Sequence, residues 1–334
     1  MELPAITEES RLGILHLNRF YAKSMAKRNG SLSSVDLREE WELDLTLLTA
    51  LNLGLEQTLR YLYNEAPPLS SFEDWILEVN NQQLETERIK RFNDSVTGAT
   101  ANTTTIAPAL SEADLRHWDE QGYVIIRNAI SAEDCAYTIK VITDFLNIDL
   151  NDPQSWYEAH PSRQGIMVQL FQHAILEKNR RAPKIRAAFE QLWGRTDLWE
   201  TTDRVGFNPP ETANWQFPGP DLHWDVSLDL PIPFGTQGIL YLSDTLPNQG
   251  AFTLVPGFQH KIADWLHSLP ANANPRQQNL HALGAIPIEA NAGDFILWSQ
   301  ALPHGSSRNT ATQPRIVQYI NYKPLDAHER KVWR

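Results

Sequence analysis

The sequence predicts a mainly β fold with flanking helices, preceded by a smaller helical domain. Three observations carry this reading. Residues 1 to about 92 place apolar side chains at spacings of three and four, the period of a helix with one buried face. Residues 93–109 (NDSVTGATANTTTIAPA) hold almost no charge and few large apolar side chains, which is linker composition. From about residue 203 onward, short apolar or alternating runs are separated by Pro, Gly and Asn, as in an antiparallel sandwich or barrel. The expected organisation is a helical domain over 1–92, a linker over 93–109 and a mainly β domain over 110–334.

Within the first domain, Trp41, Leu45, Leu48, Leu51, Leu55, Leu59 and Leu62 form one stripe, and the spacing predicts one helix over 41–62. Ser34 and Asp36 are available to cap it, and Pro67-Pro68 ends the segment beyond it. A further helix is expected from Ser71, with Asp74 as a capping-box variant. It runs through Trp75, Ile76 and Val79 into a charged tail, Glu85 to Arg91. No catalytic constellation occurs here, and apolar stripes of this kind are usually core. After the linker, 111–121 reads as a helix stopped by Gly122. Residues 123–126 (YVII) read as a strand. Ser131, with Asp134 three residues on, opens another helix towards Asn147, and 183–199 reads as a helix too. Strands are expected over 238–242, 251–255, 294–298 and 316–322.

Composition narrows the class of function. Across 334 residues, 42% hydrophobic and 21% charged side chains supply a sizeable core and exclude a disordered or collagen-like chain. No stretch approaches the roughly 18 uninterrupted apolar residues of a membrane span. A formal charge of −12 argues against nucleic acid or an anionic membrane as partner. The lone Cys135 rules out an intrachain disulfide and a cysteine-rich zinc site. The opening MELPAITEES has no basic-then-apolar run, so a cytoplasmic location is expected.

The chemistry gathers around histidine. The tripeptide His-Trp-Asp occurs twice, at His117–Asp119 and His223–Asp225. On a helix, residues two apart diverge by about 200°, so the first copy, in a helical pattern, reads as structural. The second comes after a Pro/Gly loop and enters a β region, where residues i and i+2 share a face. His304, in Leu302-Pro-His-Gly305, is the best candidate for a third ligand. Two histidines and one carboxylate make the facial triad of non-haem Fe(II) sites, which leaves positions open for a 2-oxo acid and dioxygen. Arg315, eleven residues after His304, could fork onto the distal carboxylate of 2-oxoglutarate. Ser306 could add a hydroxyl donor.

Taken in order, these pieces resemble the phytanoyl-CoA dioxygenase family of Fe(II)/2-oxoglutarate-dependent oxygenases over residues 110–322. The resemblance rests on Gly122-Tyr-Val-Ile-Ile-Arg127, His223–Asp225, Asn248-Gln-Gly-Ala-Phe252 and Val255-Pro-Gly-Phe-Gln-His260. It continues through Ala292-Gly-Asp-Phe-Ile-Leu-Trp298, Pro303-His-Gly-Ser306 and Arg315. It implies a double-stranded β-helix, or jelly roll, with iron on His223, Asp225 and His304. It also implies that Arg315 and Ser306 hold 2-oxoglutarate, with Tyr241 as a further contact. Two departures are visible: Phe258-Gln259 stands before His260 where the family commonly has Ser, making His260 structural, and the helical domain lies outside the pattern. Asp225 is present, whereas related halogenases carry a small residue there, so hydroxylation or a related oxidation is favoured.

The expected reaction oxidises a C–H bond of a small-molecule substrate and releases succinate and CO2. Trp215, Phe217, Trp224, Phe234 and Trp298 are candidates to shape the pocket. Residues 178–186 (KNRRAPKIR) could serve a phosphate-bearing substrate or form a solvated helix face. One rival reading is a non-oxygenase metal enzyme on a jelly roll, an isomerase or hydrolase, since His₂-carboxylate also suits zinc. Another is a non-catalytic binding module. The helical domain leaves homo-oligomerisation open.

Overall fold

A computed structural model describes residues 3–32, 40–99 and 106–326. The chain forms two compact units. One contains the helices up to Thr97 together with Arg195–Asp203; the other contains Ile106–Gly194 and Arg204–Tyr322.

The first unit is helical: α1 (Leu17–Arg28), α2 (Trp41–Ala50), α3 (Leu55–Glu65), α4 (Leu69–Val79) and α5 (Thr86–Thr97). The single helix expected over 41–62 is two. Asn52 takes a left-handed conformation, φ 52°, and Leu53 N–H donates back to Leu48 O at 2.8 Å, which closes α2 as a helix C-terminus. The proposed caps Ser34 and Asp36 lie outside the described residues. α4 starts at Leu69 rather than Ser71, because Pro68 sets an extended entry (ψ 158°). Asp74 is drawn instead to Arg11 at 2.6 Å. The charged tail is the separate helix α5, whose last residues, 93–97, run into the stretch read as linker, and which ends at Gly98, φ 76°. Phe92, fully buried, packs edge-on against Trp199 and gives α5 its reason to continue.

Inside this unit Lys23 is 3% exposed, with Nζ 2.6 Å from Glu40 and 2.7 Å from Asp44. His16 Nε2 meets the same Asp44 at 2.7 Å, and Arg19 pairs with Glu40. His16, Glu40 and Asp44 could group around a metal ion, but the Lys23 ammonium already stands between the two carboxylates.

The second unit runs in chain order. It begins with α6 (Glu112–Gln121), β1 (Tyr123–Ile126), α7 (Ala132–Leu146), β2 (Arg163–Gln164) and β3 (Met167–Val168). Next come α8 (Ala174–Arg180) and α9 (Pro183–Trp193); β4 (Trp199–Glu200) belongs to the helical unit. The rest is β5 (Val205–Asn208), β6 (Thr236–Tyr241), β7 (Thr253–Leu254), α10 (Ile262–Ser268), β8 (Ile286–Pro287), β9 (Phe295–Ser299), β10 (His304–Gly305) and β11 (Arg315–Tyr319). Ser111 caps α6 through a box with Asp114, and Ser131 caps α7. Gly122 ends α6 at φ 77°, a conformation costly for any residue with a Cβ. α9 ends at Gly194 rather than 199, since Gly194 is left-handed, φ 66°.

Seven strands pair in the order β1-β9-β6-β11-β5-β3-β2, and β10-β7-β8 form a second sheet. The pairings are antiparallel. This is the double-stranded β-helix. Register assigns the faces: Val317 stands opposite both Gly206 and Tyr241, and Arg315 opposite Asn208. Alternate residues Arg315, Val317 and Tyr319 therefore share the inner face. Ile239, Tyr241, Phe252, Leu254, Ile296, Trp298 and Val317 fill that interior, each worth about 1.5–3 kcal/mol on burial for side chains of this size. Gln318 faces the other way and donates to Leu176 O on α8 at 2.9 Å.

Arg19 and Lys23 hold the Glu40 carboxyl at about 2 against the opposition of burial, below its ordinary 4.5. A lowered folded-state value gives stability that is complete above pH 4.5 and is lost as pH falls towards 2. The melting-temperature gap between wild type and Glu40→Gln, measured across that window, should therefore close as the pH drops.

Candidate metal centre

β10 begins at His304, and an antiparallel bridge joins His304 to His223. His223 N–H donates to His304 O at 2.8 Å, and His304 N–H donates to His223 O at 3.0 Å. Directly opposed residues project to one side, and the two imidazole centroids lie 4.9 Å apart. Asp225, two residues after His223, returns to the same side. Its carboxylate oxygens lie 3.3 Å from His223 Nε2 and 3.3 Å from His304 Nε2. The intervening Trp224 turns inward, 2% exposed. It packs on Trp265 and Phe258 and donates Nε1 to Ala301 O at 3.0 Å. Gly305 permits this closeness: a Cβ there would stand 2.5 Å from Asp221 O.

The second ring nitrogens fix the tautomers. His223 Nδ1 donates to Asp221 O at 2.7 Å and His304 Nδ1 to Leu302 O at 3.0 Å. Each Nε2 is thereby left as a lone-pair donor facing Asp225, the arrangement that outer hydrogen bonds give to metal-binding histidines. One ligand atom from each of the three residues lies within 4.8 Å of the others. The electrostatics agree. Burial opposes the His223 imidazolium, but the Asp225 carboxylate overcomes it and raises the His223 pKa above its ordinary value. Burial likewise opposes the Asp225 charge, yet the two imidazoles hold its carboxyl far below the usual carboxylate range. A site that favours positive charge this strongly, built from two nitrogens and a carboxylate, fits a divalent transition metal.

The other His-Trp-Asp is structural. His117 lies on α6 against Tyr123, and Asp119 O accepts hydrogen bonds from Gln259 Nε2 and His260 Nε2. That bond also accounts for His260. Neither belongs to a metal-competent cluster among the described residues.

Arg315 opens β11 on the inner face and is completely buried. Its Nη2 donates to Ser306 Oγ at 3.0 Å, while Nε and Nη1 have no hydrogen-bond partner. A buried guanidinium whose neighbours here are the neutral hydroxyls of Ser306 and Tyr241, with no carboxylate among its hydrogen-bond partners, is costly. The pair presents forked N–H donors, and Ser306 keeps its own O–H to donate. Such a pair suits a carboxylate. Tyr241 shares this interior, but its hydroxyl donor is committed: it donates to Ile288 O at 3.0 Å and accepts from Phe252 N–H at 2.8 Å. Burial pushes its phenol up to about 12. The strand places Tyr241 beside Arg315, whose charge works against that rise.

The aromatic candidates scatter. Trp298 stands beside His304, with ring centroids 5.1 Å apart, and Phe252 flanks both. Trp224 is core, Trp215 leans on Tyr157, and Phe234 meets Trp193 edge-on. Phe234 also lines an open groove of about 680 Å³ with Leu230, Ile232, Trp118 and Ile262, which none of the three ligands lines. Within the basic run 178–186, most cations have internal partners, and the exposed Lys184 meets only the carbonyls of Arg127 and Asn128. Lys178 pairs with Asp134, Arg181 with Glu177 and Arg186 with Glu190, while Arg180 is buried and donates to Phe171 O. Two residues that contact the site went unread in the sequence. Gln237 donates to Asp225, and Arg276 donates to the carbonyls of Trp224 and Val226. Gln237 left one clue, a polar residue at an inner-face position of an apolar strand; Arg276, in a polar loop, left none.

The fold is that of a jelly roll, and its three grouped residues form a candidate metal centre. The chain belongs to the phytanoyl-CoA dioxygenase family, whose model matches residues 118–317, and it is a 2-oxoglutarate-dependent non-haem iron dioxygenase by class. A Dictyostelium discoideum protein described as a candidate phytanoyl-CoA dioxygenase is 24% identical over 258 residues, 62% of this chain and 74% of its own. Among solved structures, GlcNAc Inducible Gene 2 of Candida albicans superposes with a TM-score of 0.51 at 15% identity. It covers 66% of this chain and 65% of its own, and the likeness is one of fold. HygX from Streptomyces hygroscopicus, solved with nickel and 2-oxoglutarate bound, gives 0.48 at 18% identity over 65% of this chain and 88% of its own. Among the described residues, no helix is long and apolar enough to cross a membrane.

Arg315→Met fills a similar volume without burying a charge. Metal- and cosubstrate-free Arg315→Met should melt at or above the wild-type temperature, since apolar replacement of an uncompensated buried charge is neutral or stabilising. A loss of about 3 kcal/mol or more in denaturant titration would instead mark the guanidinium as a structural element.

Proposed function

We propose that His223, Asp225 and His304 bind Fe(II), and that Arg315 with Ser306 holds the distal carboxylate of 2-oxoglutarate. The observation that carries this is the Arg315 guanidinium, wholly buried in the interior with Nε and Nη1 unpartnered. A charge so placed is paid for by function, because the Ser306 and Tyr241 hydroxyls are neutral and Nε and Nη1 keep no hydrogen-bond partner. When bound, iron and 2-oxoglutarate supply the oxidising power: dioxygen and 2-oxoglutarate give succinate and CO2, and one oxygen atom enters a substrate C–H bond. The protein's own part is placement. The backbone carbonyls of Asp221 and Leu302 hold the imidazoles in the ligating tautomer. Trp298 and Phe252 wall off His304, which is 4% exposed, from water. Asp225, 52% exposed, marks the side from which substrate arrives. Tyr241 braces the entry to β7 by accepting from Phe252 N–H.

The substrate is a small molecule. The ion pairs of Lys178, Arg181 and Arg186 favour reading the 178–186 segment as a solvated helix face. A hydrolase or isomerase using zinc at the same ligands would have no use for Arg315.

Anaerobic addition of Fe(II) and 2-oxoglutarate to the metal-free protein should give the weak visible charge-transfer band of a chelated Fe(II)–2-oxo acid. The band should weaken in Arg315→Ala and vanish in His304→Ala. A wild-type protein that binds metal yet shows no band would overturn the oxygenase reading and favour the zinc-type enzyme.

A further inference from the structure

Asp225 is the most exposed ligand, 52% against 32% for His223 and 4% for His304, and it lies outside any strand. A carboxylate on such a segment can rotate and offer a cation one oxygen or two. Side chains from two other elements restrict it. Gln237, the second residue of β6, donates Nε2 to Asp225 Oδ2 at 2.7 Å. A carboxylate only accepts, so the amide nitrogen must be the atom that faces it. Arg276, in the single turn Pro275–Gln277, donates Nη1 to Trp224 O and Nη2 to Val226 O, both at 2.6 Å. Its planar fork grips the carbonyls of the residues on either side of Asp225, a grip that a lysine could not reproduce.

Resting on the iron-binding reading above, we infer that Gln237 and Arg276 are positioning residues for Asp225. Gln237 occupies one carboxylate oxygen so that the other ligates, and Arg276 fixes the main chain that carries it. A carboxylate that gave both oxygens would consume a coordination position that a chelating 2-oxo acid and dioxygen need between them. The two residues thus protect the openness of the site as well as its affinity. Neither touches the reacting atoms; both act through Asp225.

The test is Mn(II) binding to the metal-free full-length protein, read from the electron paramagnetic resonance signal of free Mn(II), with thermal melting alongside. Gln237→Leu and Arg276→Lys should each weaken Mn(II) binding by about 10–100-fold, the usual effect of losing an outer partner of a ligand. Gln237→Leu should do so at an unchanged melting temperature, which a merely structural role would not produce. Wild-type affinity in both variants would overturn the inference, provided Asp225→Ala has lost binding. If wild type binds Mn(II) no better than Asp225→Ala, the iron site itself fails, and the inference fails with it.

Discussion

Two main-chain hydrogen bonds between His223 and His304 are the constraint on which the site depends. They join the segment after the Pro/Gly loop to the start of the short strand β10 and make the two imidazoles neighbours. Once that pair is set, the period-two alternation of extended chain brings Asp225 to the same side and buries Trp224 on the other. Gly305 lets the two segments approach, because any Cβ would strike the Asp221 carbonyl. The chain then turns back through β11, and Arg315 enters the same interior next to Ser306. A shift of one residue in the His223–His304 pairing would point the ligands at opposite faces.

The interior of this jelly roll serves two ends that conflict. Ile239, Ile296, Val317 and Phe252 make it an ordinary apolar core. Arg315 sits on the same inner face, with partners for only part of its donor set. Stability alone would place a large apolar side chain there. The residues around the metal ligands are handled differently: their polar atoms are tied to backbone carbonyls, so orientation is settled by the fold itself. Rigid ligands and one unsatisfied cation describe a site prepared for what it binds.

Much of this was legible in the sequence, for physical reasons. The two His-Trp-Asp copies separated because residues two apart diverge on a helix and converge on a strand, and the structure places His117 on α6 and His223 on a β bridge. The capped helices beginning after Ser111 and Ser131 arise from local hydrogen bonding. What escaped was non-local or silent in periodicity. The leucine stripe continues across the break at Asn52, because Leu51 and Leu55 keep helical spacing although the chain between them turns. Gln237 and Arg276 act through hydrogen bonds to distant residues, which no local pattern encodes. Tyr241 was placed correctly on its strand, and the partners of its hydroxyl, Ile288 O and Phe252 N–H, are brought together only by the fold.

Among the described residues there are two clusters of histidine and carboxylate that could hold a metal ion, and they obtain their positive charge from different sources. The His223 cluster has no ammonium built into it and, in the function proposed, takes its charge from a metal ion. The cluster of His16, Glu40 and Asp44 has Lys23 built into it. A covalently attached ammonium cannot be chelated, exchanged or outcompeted by a wrong ion. In metal scarcity the protein would lose its chemistry at one cluster while the other, and the helical fold around it, stayed intact.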